Sequence, residues 1–226
     1  MVTKRNMAPR FWPISVKENK YVVSPTPGPH NKTECIPLLI ALRDFLKIAG
    51  TMKEVKELLN SGIVKVNGIN RKDLGFPLGL MDILEIDGDY YRIVPSKYGL
   101  KLLTTDEKDG EIKLAKIRNK THVKSKRLQL NLHDGTNIFV DKDDFKTSDV
   151  VMINIKNGSI LNTLKFDKGN VAVVTDGNNR GLIGKIETID KKLKTVSLIN
   201  GERSVLVPLR YVFVVGHHKP EIKIGE

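Results

Sequence analysis

Cysteine is almost absent from this chain: Cys35 is the only one in 226 residues. A single thiol excludes an intramolecular disulfide and any zinc knuckle built on cysteines. Its apolar neighbours read it as a buried, structural thiol. Aromatic residues are scarce too, at 6%, so the cores must be aliphatic and modest. No apolar stretch approaches membrane-spanning length, and no membrane partner is expected. The basic N-terminus has no apolar segment behind it and does not read as a secretory signal. Also missing is any constellation for chemistry. Asp141-Lys142-Asp143-Asp144 lacks the ligand spacing of a calcium loop and reads as a turn cap. Gly184-Lys185 lacks the earlier glycine and the Ser or Thr of a nucleotide-phosphate loop. His217-His218 has no metal-ligating partners that the sequence identifies. The expectation is a protein that is not an enzyme, with no cofactor, no metal and no small-molecule substrate.

What is present is positive charge. Lys and Arg number 38 against 26 Asp and Glu, a formal net charge of +12, with a pI near 9.6. Such an excess by itself favours a polyanionic partner: RNA, DNA or an anionic membrane surface. The length implies two or three small domains. The most informative stretch runs from Gly169 to Ile189. A short apolar run, Val171 to Val174, meets the polar turn Asp176-Gly177-Asn178-Asn179; Arg180, Gly181, Gly184 and Lys185 follow, then a second strand-like run. Glycines let a backbone approach a ligand closely, and Asn178, Asn179, Arg180 and Lys185 suit phosphate, sugar and base edges.

The remaining pattern divides the chain. Residues 1–35 form a basic, proline-punctuated arm that includes Lys4, Arg5, Arg10, His30 and Lys32. It buries little alone, so it must order against the body or against a partner. Trp12, the only tryptophan, either covers a core or stacks on a base. Residues 36–95 read as two helices and a small sheet. Leu38, Leu39, Leu42, Phe45 and Leu46 recur at helical spacing, and Gly50 breaks the run. Thr51-Met52-Lys53-Glu54 has the form of a capping box. Gly62 suits the second helix's stop, and Asn67-Gly68 a tight hairpin. Eight cations, Arg43, Lys53, Lys56, Arg71 and Lys72 among them, balance eight anions here. The charges are expected to separate, with Lys53 and Lys56 on one helix and the Asp82–Asp89 group on later strands.

Residues 96–168 read as a central β domain. Within it, Lys116, Arg118, Lys120, Lys124, Lys126 and Arg127 occur with no acid among them, which predicts a stripe facing phosphate. Residues 169–216 read as five short strands closing a small barrel of SH3 type, and residues 217–226 as a tail. The fold class is α+β, mostly β.

Several of these pieces resemble known modules. The helix pair followed by Lys65-Val66-Asn67-Gly68 resembles the S-four RNA-binding module, and residues 169–189 resemble a KOW motif. Their order is more specific. Lys4-Arg5, Ala8-Pro9, Trp12-Pro13, Pro27-Gly28-Pro29-His30 and Pro37-Leu38 precede Phe76-Pro77, Gly79 and Met81-Asp82, and then Lys165-Phe166-Asp167 and Gly169-Asn170. From about residue 4 to 216 this resembles the archaeal and eukaryotic small-subunit ribosomal protein family S-four-e, and an archaeal member in particular. The resemblance implies a structural ribosomal protein, cytoplasmic within the small subunit, whose partners are small-subunit ribosomal RNA and neighbouring ribosomal proteins. The alternatives are a KOW-containing transcription or translation factor and an accessory protein of RNA modification.

Overall fold

The computed structural model describes residues 2–15, 17, 19–123, 127–201 and 203–225. The chain divides into two compact units, residues 1–94 with 98–110, and residues 95–97 with 111–226. Both are mostly β. The first contains β1 (Val2–Lys4), β2 (Tyr21–Val23), β3 (Ile36–Pro37), α1 (Leu38–Ile40), α2 (Met52–Ser61), β4 (Val64–Val66), β5 (Ile69–Asn70), β6 (Pro77–Leu78) and β7 (Ile83–Ile86). β8 (Asp89–Ser96), β9 (Gly99–Thr105) and the single turn α3 (Glu107–Gly110) follow. The second contains β10 (Ile112–His122), β11 (Leu128–Leu132), β12 (Asn137–Val140), β13 (Val150–Asn154) and β14 (Ile160–Leu164). It ends with β15 (Val171–Val174), β16 (Ile183–Asp190), β17 (Thr195–Asn200), β18 (Arg203–Pro208) and β19 (Val212–Gly216).

In the first unit one sheet has the order β5-β4-β7-β8-β9, and β1-β2 and β3-β6 form two-stranded ribbons. The predicted hairpin at Asn67-Gly68 is there. Both residues have positive φ, 50° and 75°, as a two-residue turn matched to strand twist requires. The capping box also forms: Glu54 N–H donates to Thr51 Oγ1 at 3.3 Å, and Gly50 N–H donates to the Glu54 carboxylate at 2.8 Å. Gly62, at φ 81°, stops α2. The first helix departs from expectation. Only Leu38–Ile40 is α-helical, and Ala41–Phe45 widens into a π turn. Lys47 then turns left-handed at φ 56°, and Ile48 N–H reaches the Leu42 carbonyl at 3.0 Å. The helix therefore ends before Gly50, through a capped turn around Lys47.

The arm is part of the core. Ala8, Trp12, Ile14 and Val22 are buried in one cluster with Leu38, Leu42, Val55, Leu59, Val64 and Ile93. Glycines make its seat. A Cβ on Gly79 would fall 2.2 Å from the His30 ring, one on Gly99 2.2 Å from Phe11, and one on Gly75 3.0 Å from Ser24 and Thr26. Only a residue without a side chain lets the arm lie this close. Of the two ways for the arm to order, packing on the body is the one observed.

The second unit has two five-stranded sheets, ordered β12-β11-β10-β13-β14 and β18-β17-β16-β15-β19. β10 runs on to His122, through part of the segment expected as a cationic stripe, because Asn119 to His122 pair in register with Asn131 to Leu128. β14, which carries little alternation, pairs with β13 at the sheet edge. In the last sheet every residue of β15 and of β19 is buried. The tail is pinned near its end: Ile222 and Ile224 are buried, and Glu221 N–H donates to the Val215 carbonyl at 2.9 Å, while residues 217–221 stay exposed.

Candidate nucleic-acid interface

The glycine-rich loop joins β15 to β16, which pair with Ala172 opposite Gly184. Gly181 N–H donates to the Val174 carbonyl at 2.8 Å, and Leu182 N–H to that of Asn179 at 3.1 Å. These bonds narrow the loop and leave Gly177, Asn178 and Asn179 exposed at its tip. Gly184 is needed for a different reason: a Cβ there would lie 2.7 Å from the Ile199 carbonyl oxygen. Lys185 projects outward from β16. Arg180 turns back onto the Asp176 carboxylate, so the outward donors at the tip are the two asparagine amides.

Other predicted contact residues are also exposed. Lys4 lies on β1, Arg10 on the arm, Lys53 and Lys56 on α2, Lys72 after β5 and Arg118 on β10. Arg127 is exposed beside Asp141 at 3.8 Å. Several cations are engaged locally while still reaching the surface. Arg43 pairs with Asp44 at 3.0 Å, Lys120 pairs with Asp143, and Lys32 Nζ donates to Thr3 Oγ1 at 3.1 Å. The Arg71 guanidinium lies 4.5 Å over the Phe76 ring. Lys124 and Lys126 lie outside the described residues.

Four predicted contact residues point inward, and each has a structural reason. The Arg5 guanidinium is buried and donates to the Ile14 carbonyl at 2.7 and 3.1 Å, clamping the arm to itself. Trp12 is 1% exposed, and its indole N–H donates to the Cys35 carbonyl at 3.0 Å. It covers the core and has no face left for a base. The His30 ring meets the Asp82 carboxylate at 2.8 Å with both side chains buried. The same carboxylate accepts from Asn67 Nδ2 and Gly79 N–H. Lys116 leaves the stripe altogether. Its ammonium donates to the carbonyls of Val212, Arg210 and Leu209 at 2.7, 3.3 and 3.4 Å. Burial lowers its pKa to about 8, with nearby Arg118 adding to the effect.

The charge balance of residues 36–95 resolves mainly as pairs and caps. Lys65 meets Glu85 at 2.7 Å, Arg43 meets Asp44, Asp82 is enclosed, and Glu54 caps α2. Lys53 and Lys56 share the exposed side of α2 with Glu57. Cys35 is fully buried, and burial, with Glu34 and Asp82 adding to it, pushes its thiol up to about 12. Among the described residues no group of three or more His, Cys, Asp or Glu could hold a metal, and no helix is long and apolar enough to cross a membrane.

Three exposed aromatics carry no reading in the sequence, Tyr98, Phe139 and Tyr21, and of these Tyr21 sits among cations. It is 53% exposed, stands opposite Lys4 in the β1–β2 ribbon, and has the Lys20 ammonium 5.7 Å from its ring centroid. Its signal was an aromatic directly after a lysine in a basic segment.

Comparison with known proteins places this geometry. Residues 87–160 match Ribosomal family S4e, and residues 3–33 match the RS4NT (NUC023) domain. The small ribosomal subunit protein eS4 of Staphylothermus marinus is 38% identical over 240 residues, covering 99% of this chain and 95% of that protein. The chain belongs to ribosomal family S4e. The eS4 protein of Methanothermobacter thermautotrophicus is 41% identical over 229 residues, covering 98% of this chain and 94% of its own. The crystal structure of the 30S ribosomal protein S4e from Thermoplasma acidophilum matches with a TM-score of 0.73 at 30% identity, over 81% of this chain and 95% of that one. The mostly β fold is thus an S4e fold, and the chain an archaeal-like member of the family.

Proposed function

We propose that this chain is a structural constituent of the small ribosomal subunit, in the cytoplasm, and that it grips small-subunit ribosomal RNA at several places. The observation that carries the reading is alignment over almost the whole chain with relatives named small ribosomal subunit protein eS4. The role is architectural and involves no reaction. Neighbouring small-subunit proteins are further partners.

Residues 36–95 serve as the S-four-like RNA-binding domain. The reading is supported by two successive helical segments followed by a Val-Asn-Gly hairpin. Residues 169–216 serve as the KOW barrel of SH3 type, supported by a meander in which β19 returns to pair with β15. Residues 96–168 are the central β domain, and 1–35 and 217–226 are the arm and tail. Contact falls to the outward set: Lys4, Arg10, Lys53, Lys56, Lys72, Arg118, Arg127, Asn178, Asn179 and Lys185. Lys32, Arg43, Arg71, Lys120 and Arg180 contribute from locally paired positions. Arg5, Trp12, His30 and Lys116 act indirectly by holding the scaffold.

Cations that neutralise phosphates release condensed counterions, so affinity must fall as salt rises. Asparagine amides and backbone N–H groups then fit the shape of folded RNA. The test is equilibrium binding of the full chain to a transcript of small-subunit ribosomal RNA across a salt series. The logarithm of affinity should fall linearly, by roughly 0.7–0.9 per contacted phosphate for each decade of salt. An affinity insensitive to salt overturns the reading. Retention on small subunits through a high-salt wash separates a resident component from a transient factor.

A further inference from the structure

Beside the glycine-rich loop, on residues outside its motif, the second unit holds a flat cationic surface. Arg210 and Tyr211 end the 3₁₀ turn Leu209–Tyr211 that leads into β19. The Arg210 guanidinium carbon lies 4.5 Å from the centroid of the Tyr211 ring, and Nη2 donates to the Tyr211 hydroxyl at 2.7 Å. The turn beneath is held from two sides. Thr175 N–H and Oγ1 donate to the Tyr211 carbonyl at 2.8 and 3.0 Å. The Lys116 ammonium takes the carbonyls of residues 209, 210 and 212, so three donors meet three acceptors.

The loop closes on this turn. Gly177 has φ 88°, and a Cβ there would lie 3.7 Å from the Tyr211 ring. Tyr211 is half-buried, whereas Arg210, Asn178 and Asn179 are exposed. A guanidinium already laid over a ring and hydrogen-bonded to it loses little freedom when a second plane stacks on it. Unpaired RNA bases stack on arginine planes in this way, and amide side chains read their edges. Attraction to phosphate alone requires neither a ring beneath the cation nor a buried ammonium under the turn.

We propose that Arg210, supported by Tyr211, is a stacking platform for one unpaired nucleobase, with Asn178 and Asn179 contacting the edge of that base. The proposal rests on the RNA-binding reading and adds a base to it where the counterion argument needs only phosphates.

The test uses the full chain, its Arg210→Ala and Arg210→Lys variants, polyglutamate as an acidic control, and three probes. These are the small-subunit ribosomal RNA transcript, a ten-uridine oligonucleotide, and an abasic oligonucleotide with the same backbone. Arg210→Ala should weaken oligouridine binding by roughly 5- to 150-fold, the range for one lost stacked base. Arg210→Lys keeps the charge and loses the plane. It should lose most of that affinity with the salt slope unchanged, and both variants should bind the abasic strand about as the parent does. If the parent binds the transcript but favours oligouridine over the abasic strand no more than Arg210→Lys does, the platform is wrong and the RNA-binding reading stands. If Arg210→Ala weakens binding of polyglutamate but not of oligouridine, Arg210 serves acidic protein partners instead, and the platform is again wrong. If the parent shows no salt-dependent affinity for the transcript, the RNA-binding reading falls and the platform with it. Arg210 is exposed, and it meets the Lys116 ammonium through its main-chain carbonyl, so neither variant removes a core contact.

Discussion

The N-terminal arm and the β15–β16 loop look alike as sequence, since both mix cations with glycine and turn residues. The structure uses them in opposite ways. In the arm three polar groups turn inward while Lys4 and Arg10 stay exposed: Arg5 onto the Ile14 carbonyl, Trp12 onto that of Cys35, and His30 onto Asp82. In the loop Asn178, Asn179 and Lys185 turn outward while backbone bonds close the neck. The glycines differ to match. Those facing the arm admit another segment of the chain, whereas Gly177 carries a left-handed turn at the tip. Basic composition alone therefore does not identify a contact residue, because a buried carbonyl or carboxylate competes with RNA for the same cation.

The largest expected effect sharpens the arm's side of this contrast. Trp12→Ala should cost about 3–5 kcal/mol of stability, as large-to-small changes at a packed aromatic do. Denaturant unfolding measures it, and a loss under 1 kcal/mol would mean that the arm is merely draped on the surface.

A similar loss, about 3–5 kcal/mol, is expected in the second unit for Lys113→Met, which strands a buried carboxylate. Lys113 Nζ meets Asp134 at 2.6 Å with both side chains buried. Burial alone raises the Asp134 carboxyl. The Lys113 and His133 charges and the hydrogen bonds from Lys113 and Thr136 outweigh burial and bring it from 3.8 down to about 2. A carboxyl depressed by folding binds fewer protons in the native state, so its contribution is present above about pH 4 and lost as pH falls toward 2. Unfolding titrations of the parent should show that acid limb, and Lys113→Met should flatten it. An unchanged limb would assign it to other carboxylates.

Next in size is a paired test of the contrast itself. Lys185→Ala should lower the salt slope of RNA binding by about 1 and leave stability within about 0.5 kcal/mol. Arg5→Ala should do the reverse, lowering stability by about 1–3 kcal/mol with the salt slope intact. If both variants shift the same quantity, the division into inward and outward cations fails. The smallest effect concerns a cap: Thr51→Ala should cost about 1 kcal/mol through the lost bond to Glu54 N–H.

Much of the fold was legible because its signals are local. Asn67-Gly68, the Thr51–Glu54 box and the Gly62 stop each depend on residues within a few positions, and each formed. The early end of the first helix was not legible, since a left-handed lysine at 47 carries no compositional mark. β10 continues through the run of cations to His122 because pairing with β11 outweighs their local signal. Exposure was legible where it follows from a turn, as at Asn178 and Asn179, or from an amphipathic helix, as at Lys53 and Lys56. Long-range partners were not: Trp12 finds Cys35 23 residues on, His30 finds Asp82 52 on, and Lys116 finds Val212 96 on. No local window contains these pairs, and they decide which basic or aromatic residues remain free to meet another molecule.

Gly79 sits where any added carbon would overlap the imidazole of residue 30. The two positions are thus linked in one direction. A lineage that acquires a methyl group at 79 must first surrender the histidine, and with it the latch that fastens its own leading segment. Orthologues with a side chain at 79 should therefore lack the histidine at 30, whereas a glycine at 79 makes no demand on residue 30.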